Sequence, residues 1–320
     1  MAKKVYKSLS IKYPYSRGRC IKCKKLTTHM KGEEFVCKTC SMALEDKLED
    51  SNKEVLSDLK NSHLSPEEIK ELLKVKKVNS TSGRPYEFKG KKICFGVFGD
   101  SHIGHNCYDP RLMKYAAKTF NERKVDFVVH TGDVCEGHYE GKREGSIFEL
   151  TDIGGDNQVR RAVKELSQIK RPLYFITGNH ETNTFFKMSG FDIGKQIEER
   201  LPNAHYLGQG QGKIKLANRQ HIEVLHPDGG TAYALSYKPQ KIAEAMEGGT
   251  KPAILLIGHF HKSEYMDYRN IHIFQTGTLC GQTPFMRGKN LAAMKGFWIV
   301  EADVGRYGIA SVKSQWFKAY

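Results

Sequence analysis

Five short segments of this 320-residue sequence carry acid, amide and imidazole side chains. They read GDSH at Gly99–His102, GDV at Gly132–Val134, GNHE at Gly178–Glu181, HPDGG at His226–Gly230 and GHFH at Gly258–His261. Hydrolysis of a phosphate ester brings hydroxide to an anion, and two divalent cations about 3.5 to 4 Å apart both lower the pKa of water and neutralise the phosphoryl oxygens. Carboxylate, amide and imidazole groups are suitable ligands for such cations. The residue types therefore indicate a two-metal phosphoesterase.

Each segment follows a short apolar run, which predicts a buried β-strand. The runs are Ile93–Phe98, Phe127–Val129, Leu173–Ile176, Ile222–Leu225 and Ala253–Ile257. In layered α/β folds, sites gather at the carboxyl ends of the strands, so the polar segments are expected to meet there. His259 and His261 are two residues apart and would point to the same side of an extended chain.

The ordered set of motifs resembles the calcineurin-like metallophosphoesterases, whose pattern is D-x-H, G-D, G-N-H-[DE], H and G-H-x-H. The match extends over about residues 93–302 and is complete at every ligand position. The resemblance implies a bridging carboxylate and two further ligand sets: Asp133 as the bridge, Asp100, His102 and His261 on the first metal, and Asn179, His226 and His259 on the second. It also implies a two-sheet sandwich flanked by helices.

The metal and the proton donor follow from the same resemblance. Mixed nitrogen and oxygen donors suit manganese, iron or zinc better than calcium, and manganese is expected first from the habit of the family. His180, next to Asn179, would donate a proton to the leaving oxygen or stabilise the transition state, a role that suits an imidazole. The alternative for His180 is an ordinary histidine of the turn.

His226 is the ligand that the pattern marks least strongly, because the family identifies it by position alone. His205 and His221 compete for this role. His226 is preferred because it ends a predicted strand and is followed by a Pro-Asp-Gly-Gly turn, whereas His221 begins that strand. His105, His138 and His272 lack such a placement and are interpreted as surface or turn residues, although His138 could contact substrate.

Two Cys-x2-Cys knuckles lie near the N-terminus, separated by thirteen residues. They consist of Cys20, Cys23, Cys37 and Cys40. This spacing is typical of a four-cysteine zinc ribbon, and four thiolates suit a closed structural zinc site. A redox CxxC or a disulfide pair is the rival interpretation, and His29 could replace one thiolate.

Positive charge is concentrated in the same region. The chain has 51 Lys and Arg against 36 acids, a net charge of +15. Residues 1–40 hold eleven Lys or Arg and two acids, a net charge of +9, which is typical of a polyanion-binding segment. Tyr6, Tyr13, Tyr15 and Phe35 lie among these cations and could stack on bases or simply pack a small ribbon. A solvated basic tail is the bland alternative.

Three regions are predicted: a basic zinc ribbon at 1–42, a helical spacer and linker at 43–90, and a catalytic domain at 91–320. The spacer would hold helices at 41–60 and 66–77. No run approaches eighteen apolar residues and the N-terminus lacks the apolar stretch of a signal peptide, so no membrane contact and a cytoplasmic location are expected.

The substrate is the least determined feature. Protein phosphatases carry arginines in their GDxVDRG and LRGNHE segments, but this chain has Gly137 and Thr177 there. The zinc ribbon and basic N-terminus favour a nuclease or other nucleic-acid phosphodiesterase, anchored by the ribbon. The alternatives are a hydrolase of small phosphate compounds or phosphoproteins, and a module that binds nucleic acid or protein without catalysis.

Overall fold

The computed structural model describes four short strands between residues 18 and 35, and then residues 86–139, 144–249 and 251–319. The chain divides into two compact units, Met1–Ser80 and Thr81–Tyr320. In the first unit, β1 (Gly18–Arg19) pairs with β2 (Leu26–Thr27) and β3 (Met30–Lys31) pairs with β4 (Glu34–Phe35), both antiparallel. The four cysteines of the predicted ribbon, the predicted helices at 41–60 and 66–77, and the linker at 79–85 lie outside the described residues.

The second unit contains two mixed six-stranded sheets. The first has the order β16-β15-β6-β7-β8-β9. Its strands are β6 (Lys92–Phe98), β7 (Phe127–Thr131), β8 (Leu173–Thr177), β9 (Ala204–Gln209), β15 (Gly296–Val304) and β16 (Ile309–Lys318). β6 to β9 run parallel, so their carboxyl ends share one edge. All residues of β7 and β8 are buried, as expected for strands covered on both faces.

The second sheet has the order β13-β14-β12-β11-β10-β5. Its strands are β5 (Tyr86–Phe88), β10 (Gln211–Leu216), β11 (His221–Leu225), β12 (Ile254–Ile257), β13 (Ser263–Tyr268) and β14 (Ile271–Thr276). β11, β12 and β14 are parallel, so the loops after β11 and β12 leave the same edge of this sheet.

The α-helices of this unit connect the strands and cover the outer faces. They are α1 (Pro110–Glu122), α2 (Gly155–Leu166), α3 (Asn179–Glu181), α4 (Lys187–Ser189), α5 (Ile193–Arg200), α6 (Tyr237–Ala245) and α7 (Pro284–Gly288). A π-helical turn, Thr182–Phe186, joins α3 to α4. The residues at the N-terminus of α1 explain why the helix starts there. The side chain of Asp109 accepts hydrogen bonds from the backbone of Arg111 and Leu112, and Pro110 occupies the first helical position.

Three apolar clusters define the layers. The cluster between the sheets contains Phe95, Phe127, Ile222 and Leu256. Another packs α1, α2 and α5 against the outer face of the first sheet, and a smaller one packs Ala243 of α6 against the second sheet. The order is therefore helices, sheet, sheet, helix, which confirms the predicted α/β sandwich.

Two features of this unit differ from the sequence-based expectation. Tyr86–Phe88, within the segment predicted as linker, forms a strand that pairs in parallel with β10. Two consecutive strands, β9 in the first sheet and β10 in the second, follow α5, where no strands are expected. In the part of the chain that the structure describes, no helix is long and apolar enough to cross a membrane.

Candidate metal centre

The predicted ligands lie on loops that follow strands of both sheets. In the first sheet, the loops after β6 and β7 carry Asp100, His102 and Asp133, and Asn179 is the first residue of α3, which follows β8. Those after β11 and β12 carry His226, His259 and His261 from the second. The fold therefore brings these segments together where the edges of the two sheets meet.

The first donor set consists of Asp100, His102 and His261, whose donor atoms lie within 4.8 Å of one another. The Nε2 atoms of His102 and His261 are 3.0 Å apart, and Nε2 of His261 lies 3.7 Å from Oδ1 of Asp100. Nδ1 of His102 donates to Oε2 of Glu136 at 2.8 Å, which leaves a lone pair on its Nε2. Nδ1 of His261 is buried and has no hydrogen-bond partner among the described residues. Such a set fits a divalent cation, which both Nε2 atoms could bind.

The second donor set surrounds Nε2 of His226. This atom lies 3.1 Å from Oδ2 of Asp133, 3.1 Å from Oδ1 of Asn179 and 3.3 Å from Nδ1 of His259. Nδ1 of His226 donates to the carbonyl of Thr131 at 2.8 Å, so Nε2 presents a lone pair to these atoms. A lone pair beside two oxygen acceptors is favourable only with a proton or cation between them, so this set also fits a cation.

Asp133 lies between the two sets. Its Oδ2 is 3.1 Å from Nε2 of His226 in the second set and 3.9 Å from Nε2 of His102 in the first. Its Oδ1 accepts the backbone N–H of His180 at 2.9 Å. The carboxylate is therefore oriented by the neighbouring loop and is the side chain best placed to contact both cations.

Five of the seven predicted ligands have left-handed backbone conformations. Their φ angles are 47° at Asp100, 50° at His102, 50° at Asp133, 75° at His259 and 53° at His261. Residues other than glycine rarely adopt this region, at a cost of about 1–3 kcal/mol each, and such strain is concentrated at functional sites. The conformation turns each side chain back into the shared space beyond the strands.

Hydrogen bonds between the loops hold this strained arrangement. The N–H of Asp100 donates to the carbonyl of Gly132, and that of His102 to the carbonyl of Asp133, each at 3.0 Å. The N–H of His259 donates to both carboxylate oxygens of Asp100, at 2.9 and 3.0 Å. Gly132, with φ of 96°, allows a close approach: a Cβ there would lie 2.5 Å from Nδ1 of His226. This position therefore requires glycine.

Glu136 is a site residue that the sequence analysis missed. It is buried, and it forms a third possible metal-binding group with His102 and His180. Its Oε2 lies 2.8 Å from Nδ1 of His102 and 3.3 Å from Nδ1 of His180. Glu136 stands three residues after Asp133 in the same strand-end loop, but the sequence alone does not distinguish it from an ordinary acid of a loop.

His180 lies beside Asp133 and Glu136. Its Nδ1 donates to the carbonyl of Glu136 at 2.8 Å, and its Nε2 lies 3.9 Å from Oδ2 of Asp133. Burial alone would lower the pKa of His180, but the carboxylates of Glu136 and Asp133 outweigh burial and raise the pKa well above its usual range. The imidazole is therefore a proton donor at neutral pH.

The pKa values of the site residues indicate that the site as a whole favours bound positive charge. Burial would raise the pKa of Asp133, but the imidazoles of His226 and His180 hold it well below its usual range. Burial would lower the pKa of His226, but Asp133 raises it to about 9. In contrast, burial lowers the pKa of His102 and of His261, which keeps both imidazoles neutral and able to bind a cation.

The other histidines considered for the site belong to neither donor set. His205 stacks on Tyr174, with ring centroids 4.9 Å apart, and Nε2 of His221 lies 3.7 Å from Glu223. His138 and His272 are half-buried. His105 lies in a turn, which is one of the two expected placements, but it is buried, with only 3% exposure.

A cavity of about 630 Å³ opens onto both donor sets. His102, Asp133, Asn179, His180, His259 and His261 line it on the side of the metal centre. His105, Glu149, Phe285, Met286 and Leu291 line it beyond those ligands. The cavity can therefore hold a phosphate at the donor sets together with the group that the phosphate esterifies.

Comparisons with known proteins identify the family. Residues 93–294, well over half of the chain, match the calcineurin-like phosphoesterase superfamily domain. A search of curated proteins found no match.

The chain is also similar to several solved structures. An archaeal phosphodiesterase is 12% identical with a TM-score of 0.40, over 70% of this chain and 100% of that one. A phosphoesterase from E. coli is 13% identical with a TM-score of 0.38, over 69% and 98%. Vps29 from Entamoeba histolytica, solved with zinc, is 15% identical with a TM-score of 0.39, over 71% and 99%. Similarities of this size do not indicate a shared substrate. From the match over residues 93–294, the chain belongs to the calcineurin-like phosphoesterase superfamily.

Proposed function

We propose that this protein is a dinuclear-metal phosphodiesterase that cleaves nucleic acid. The observation that carries the proposal is the meeting of two donor sets at one buried carboxylate, Asp133. Asp100, His102 and His261 would hold the first cation, Asn179, His226 and His259 the second, and Asp133 both. Manganese is the proposed metal. Mixed nitrogen and oxygen donors suit it, as they also suit iron and zinc.

When bound, the two cations lower the pKa of a water molecule and neutralise the phosphoryl oxygens. The other chemical requirement is a proton for the leaving oxygen, which His180 would donate. Glu136 and its carbonyl hold the Nδ1 side of this imidazole, so Nε2 faces the space beside Asp133. Glu136 and Asp133 raise the pKa of His180 in the metal-free protein, and Glu136, which belongs to neither proposed ligand set, would still favour the protonated imidazole that the leaving oxygen needs. Glu136 therefore positions the acid, and His180 donates the proton.

The residues at the two arginine positions of protein phosphatases argue against a phosphoprotein substrate. Gly137 has a φ of 78°, and a Cβ there would lie 2.3 Å from the carbonyl of His180, so this loop cannot carry an arginine without moving. Thr177 is buried and its hydroxyl lies 2.9 Å from that of Tyr206. Neither position can grip a phosphoryl group as an arginine would.

A nucleic-acid substrate is supported by the charge of the N-terminal region. Residues 1–40 carry a net charge of +9, and release of counterions makes such a segment an effective anchor on a polyanion. Cys20, Cys23, Cys37 and Cys40 are proposed to bind one structural zinc, which would order the segment without a large core. The anchor would hold the strand while the metal centre cleaves it.

The test is a substrate panel with the full chain, stripped of metal and reconstituted with manganese. It compares labelled single- and double-stranded DNA and RNA with bis(p-nitrophenyl) phosphate and p-nitrophenyl phosphate, and Asp133→Asn serves as the control for contaminating nucleases. We expect cleavage of nucleic acid and of the generic diester, and none in the variant. Hydrolysis of the monoester alone would instead identify a phosphatase of small compounds.

A further inference from the structure

The cavity has a wall that the proposed metal chemistry does not use. It consists of His105, Glu149, Phe285 and Met286, which line the cavity but belong to neither donor set. Backbone hydrogen bonds tie its parts together: the N–H of Asn106 donates to the carbonyl of Glu149, and that of Gly281 to the carbonyl of Cys107, each at 2.8 Å. We refer to these four lining residues as the side wall.

The carboxylate of Glu149 is held in a fixed position by a buried histidine. Nδ1 of His105 accepts the backbone N–H of Cys107 at 2.9 Å, so the ring proton lies on Nε2. Nε2 then donates to Oε2 of Glu149 at 3.0 Å. The side chain of His105 is 1% exposed, whereas that of Glu149 is 28% exposed. The histidine therefore presents to the cavity a carboxylate that retains lone pairs for a ligand.

The rest of the side wall is apolar. Phe285 and Met286 lie in α7, and Phe285 is 50% exposed. Leu291 and Phe260 line the same cavity. Aromatic rings and aliphatic side chains form an apolar surface on which a flat aromatic group can stack. Every nucleobase offers a π-face for such stacking.

The charges of the described lining residues disfavour a second phosphate at this wall. Among the residues described here, no lysine or arginine lines the cavity, whereas Glu149 and Asp228 do. A phosphate of the substrate would be neutralised at the metal centre but repelled by Glu149. An acceptor beside an apolar surface instead suits a flat ring whose edge donates hydrogen bonds.

We propose that the side wall is a nucleobase subsite that favours guanine. This inference rests on the proposed function, because the base would belong to the nucleotide whose phosphate lies at the metal centre. Guanine offers two parallel donors, N1–H and the 2-amino group, to the two carboxylate oxygens of Glu149. Uracil and thymine offer one N–H between two carbonyl oxygens, which a carboxylate repels. Glu149 is thus the specificity residue and His105 its positioning residue.

The experiment uses the full chain with manganese and three chromogenic esters, the 5′-(p-nitrophenyl phosphates) of guanosine, inosine and uridine. Inosine lacks only the 2-amino group. We expect a KM about tenfold lower for the guanosine ester than for the uridine ester, with an intermediate value for inosine and a similar kcat for all three. This ranking is measured on the unaltered protein and does not depend on the folding of a variant.

Two matched variants test the residue assignment. In Glu149→Gln, the amide still accepts from His105 but turns a donor toward the base, so the guanosine KM should rise about tenfold and approach that of uridine. Asp228→Asn removes the same charge from the same cavity and should keep the guanosine preference. In both variants we expect hydrolysis of bis(p-nitrophenyl) phosphate to continue, because it has no base.

The outcomes separate the two proposals. Equal KM values for the three esters in the unaltered protein, or an unchanged guanosine preference in Glu149→Gln, would overturn the subsite while leaving the phosphodiesterase intact. Loss of the preference in Asp228→Asn to the same extent as in Glu149→Gln would also overturn it, in favour of a general charge effect. Hydrolysis of bis(p-nitrophenyl) phosphate with none of the nucleotide esters would reject the nucleic-acid function itself.

Discussion

The hydroxyl of Ser101 lies 2.6 Å from Nε2 of His130, and both side chains are completely buried. Ser101 stands between two proposed ligands, Asp100 and His102. Nδ1 of His130 accepts the N–H of Gly132 at 3.2 Å, so its Nε2 carries the proton and donates to Ser101. This pair therefore joins the loop after β6 to strand β7 by a bond between side chains that the cations would not contact.

We predict that Ser101→Ala weakens binding of the first metal by about tenfold. The substitution removes one buried hydrogen bond, worth about 1–1.5 kcal/mol, that helps to stabilise the strained backbone at Asp100 and His102. Competition with a chromogenic chelator measures the affinity. Ser167→Ala removes an exposed hydroxyl bonded to the carbonyl of Lys164 and serves as the control. Equal metal affinity in the Ser101 variant and the control would contradict the bracing role.

His130 should also make the metal-free protein sensitive to acid. Burial lowers the pKa of His130 to about 3 in the folded state, whereas an unfolded histidine titrates near 6.5. Between these values the unfolded chain binds a proton that the folded protein does not, so stability is intact above pH 6.5 and falls as the pH decreases toward 3. The slope is about 1.4 kcal/mol per pH unit for this one proton. The free energy of unfolding can be measured by urea denaturation in the presence of chelator at each pH. Its slope against pH should be smaller in His130→Leu than in the unaltered chain by the contribution of this one proton.

Asp133→Asn should lose both cations, whereas Asn179→Ala should lose chiefly the second. The reason is position: Asp133 is near imidazoles of both sets, while Oδ1 of Asn179 lies 3.1 Å from His226 of the second set. Metal content after reconstitution and gel filtration distinguishes the two variants. Full activity and two bound metals in Asp133→Asn would refute the bridging assignment.

His180→Asn should keep its metals and lose turnover, most strongly on substrates with poor leaving groups. A nitrophenolate leaves without help from an acid, whereas an alkoxide of a sugar needs a proton. Glu136→Gln should also move the alkaline limb of the pH profile to lower pH, because the acid must stay protonated and Glu136 raises the pKa of His180. We expect a loss of about 10²–10⁴-fold on nucleic acid and a smaller one on bis(p-nitrophenyl) phosphate. Equal losses on both substrates would remove His180 from the acid role.

Much of the second unit could be predicted because its signals are local. The sequence also predicts a helix at about 109–122 and a strand at about 263–268, and they are observed as Pro110–Glu122 and Ser263–Tyr268. Apolar runs and an N-terminal Asp-Pro determine these boundaries within a few residues. The strand Gln211–Leu216 alternates buried and exposed residues, but glycines and lysines obscure its pattern. Tyr86–Phe88 is too short to be recognised without its partner strand.

The residues of the candidate site likewise fall into those that could be predicted from the sequence and those that could not. Asp100 and His259 could be named from motifs, because each follows a strand and a glycine. Glu136, His105 and Glu149 could not, because their roles depend on side chains 34 to 44 residues away in the sequence. Nothing local distinguishes a buried acid that orients an imidazole from an exposed acid on a loop. Residues of this kind are identified only when the fold shows which histidine each acid contacts.

Removing residues 1–78 tests whether the basic region anchors nucleic acid. The remaining chain contains essentially all of the second compact unit, so hydrolysis of bis(p-nitrophenyl) phosphate should be nearly unchanged. Binding to long nucleic acid should weaken, and the slope of log K against log salt should fall by about 0.9 for each phosphate that the shortened protein no longer neutralises. Fluorescence anisotropy over a salt series measures both quantities. If the shortened protein binds and cuts long strands as well as the full chain, the positive charge does not serve the substrate, and the N-terminal region is better explained as a docking module for another protein.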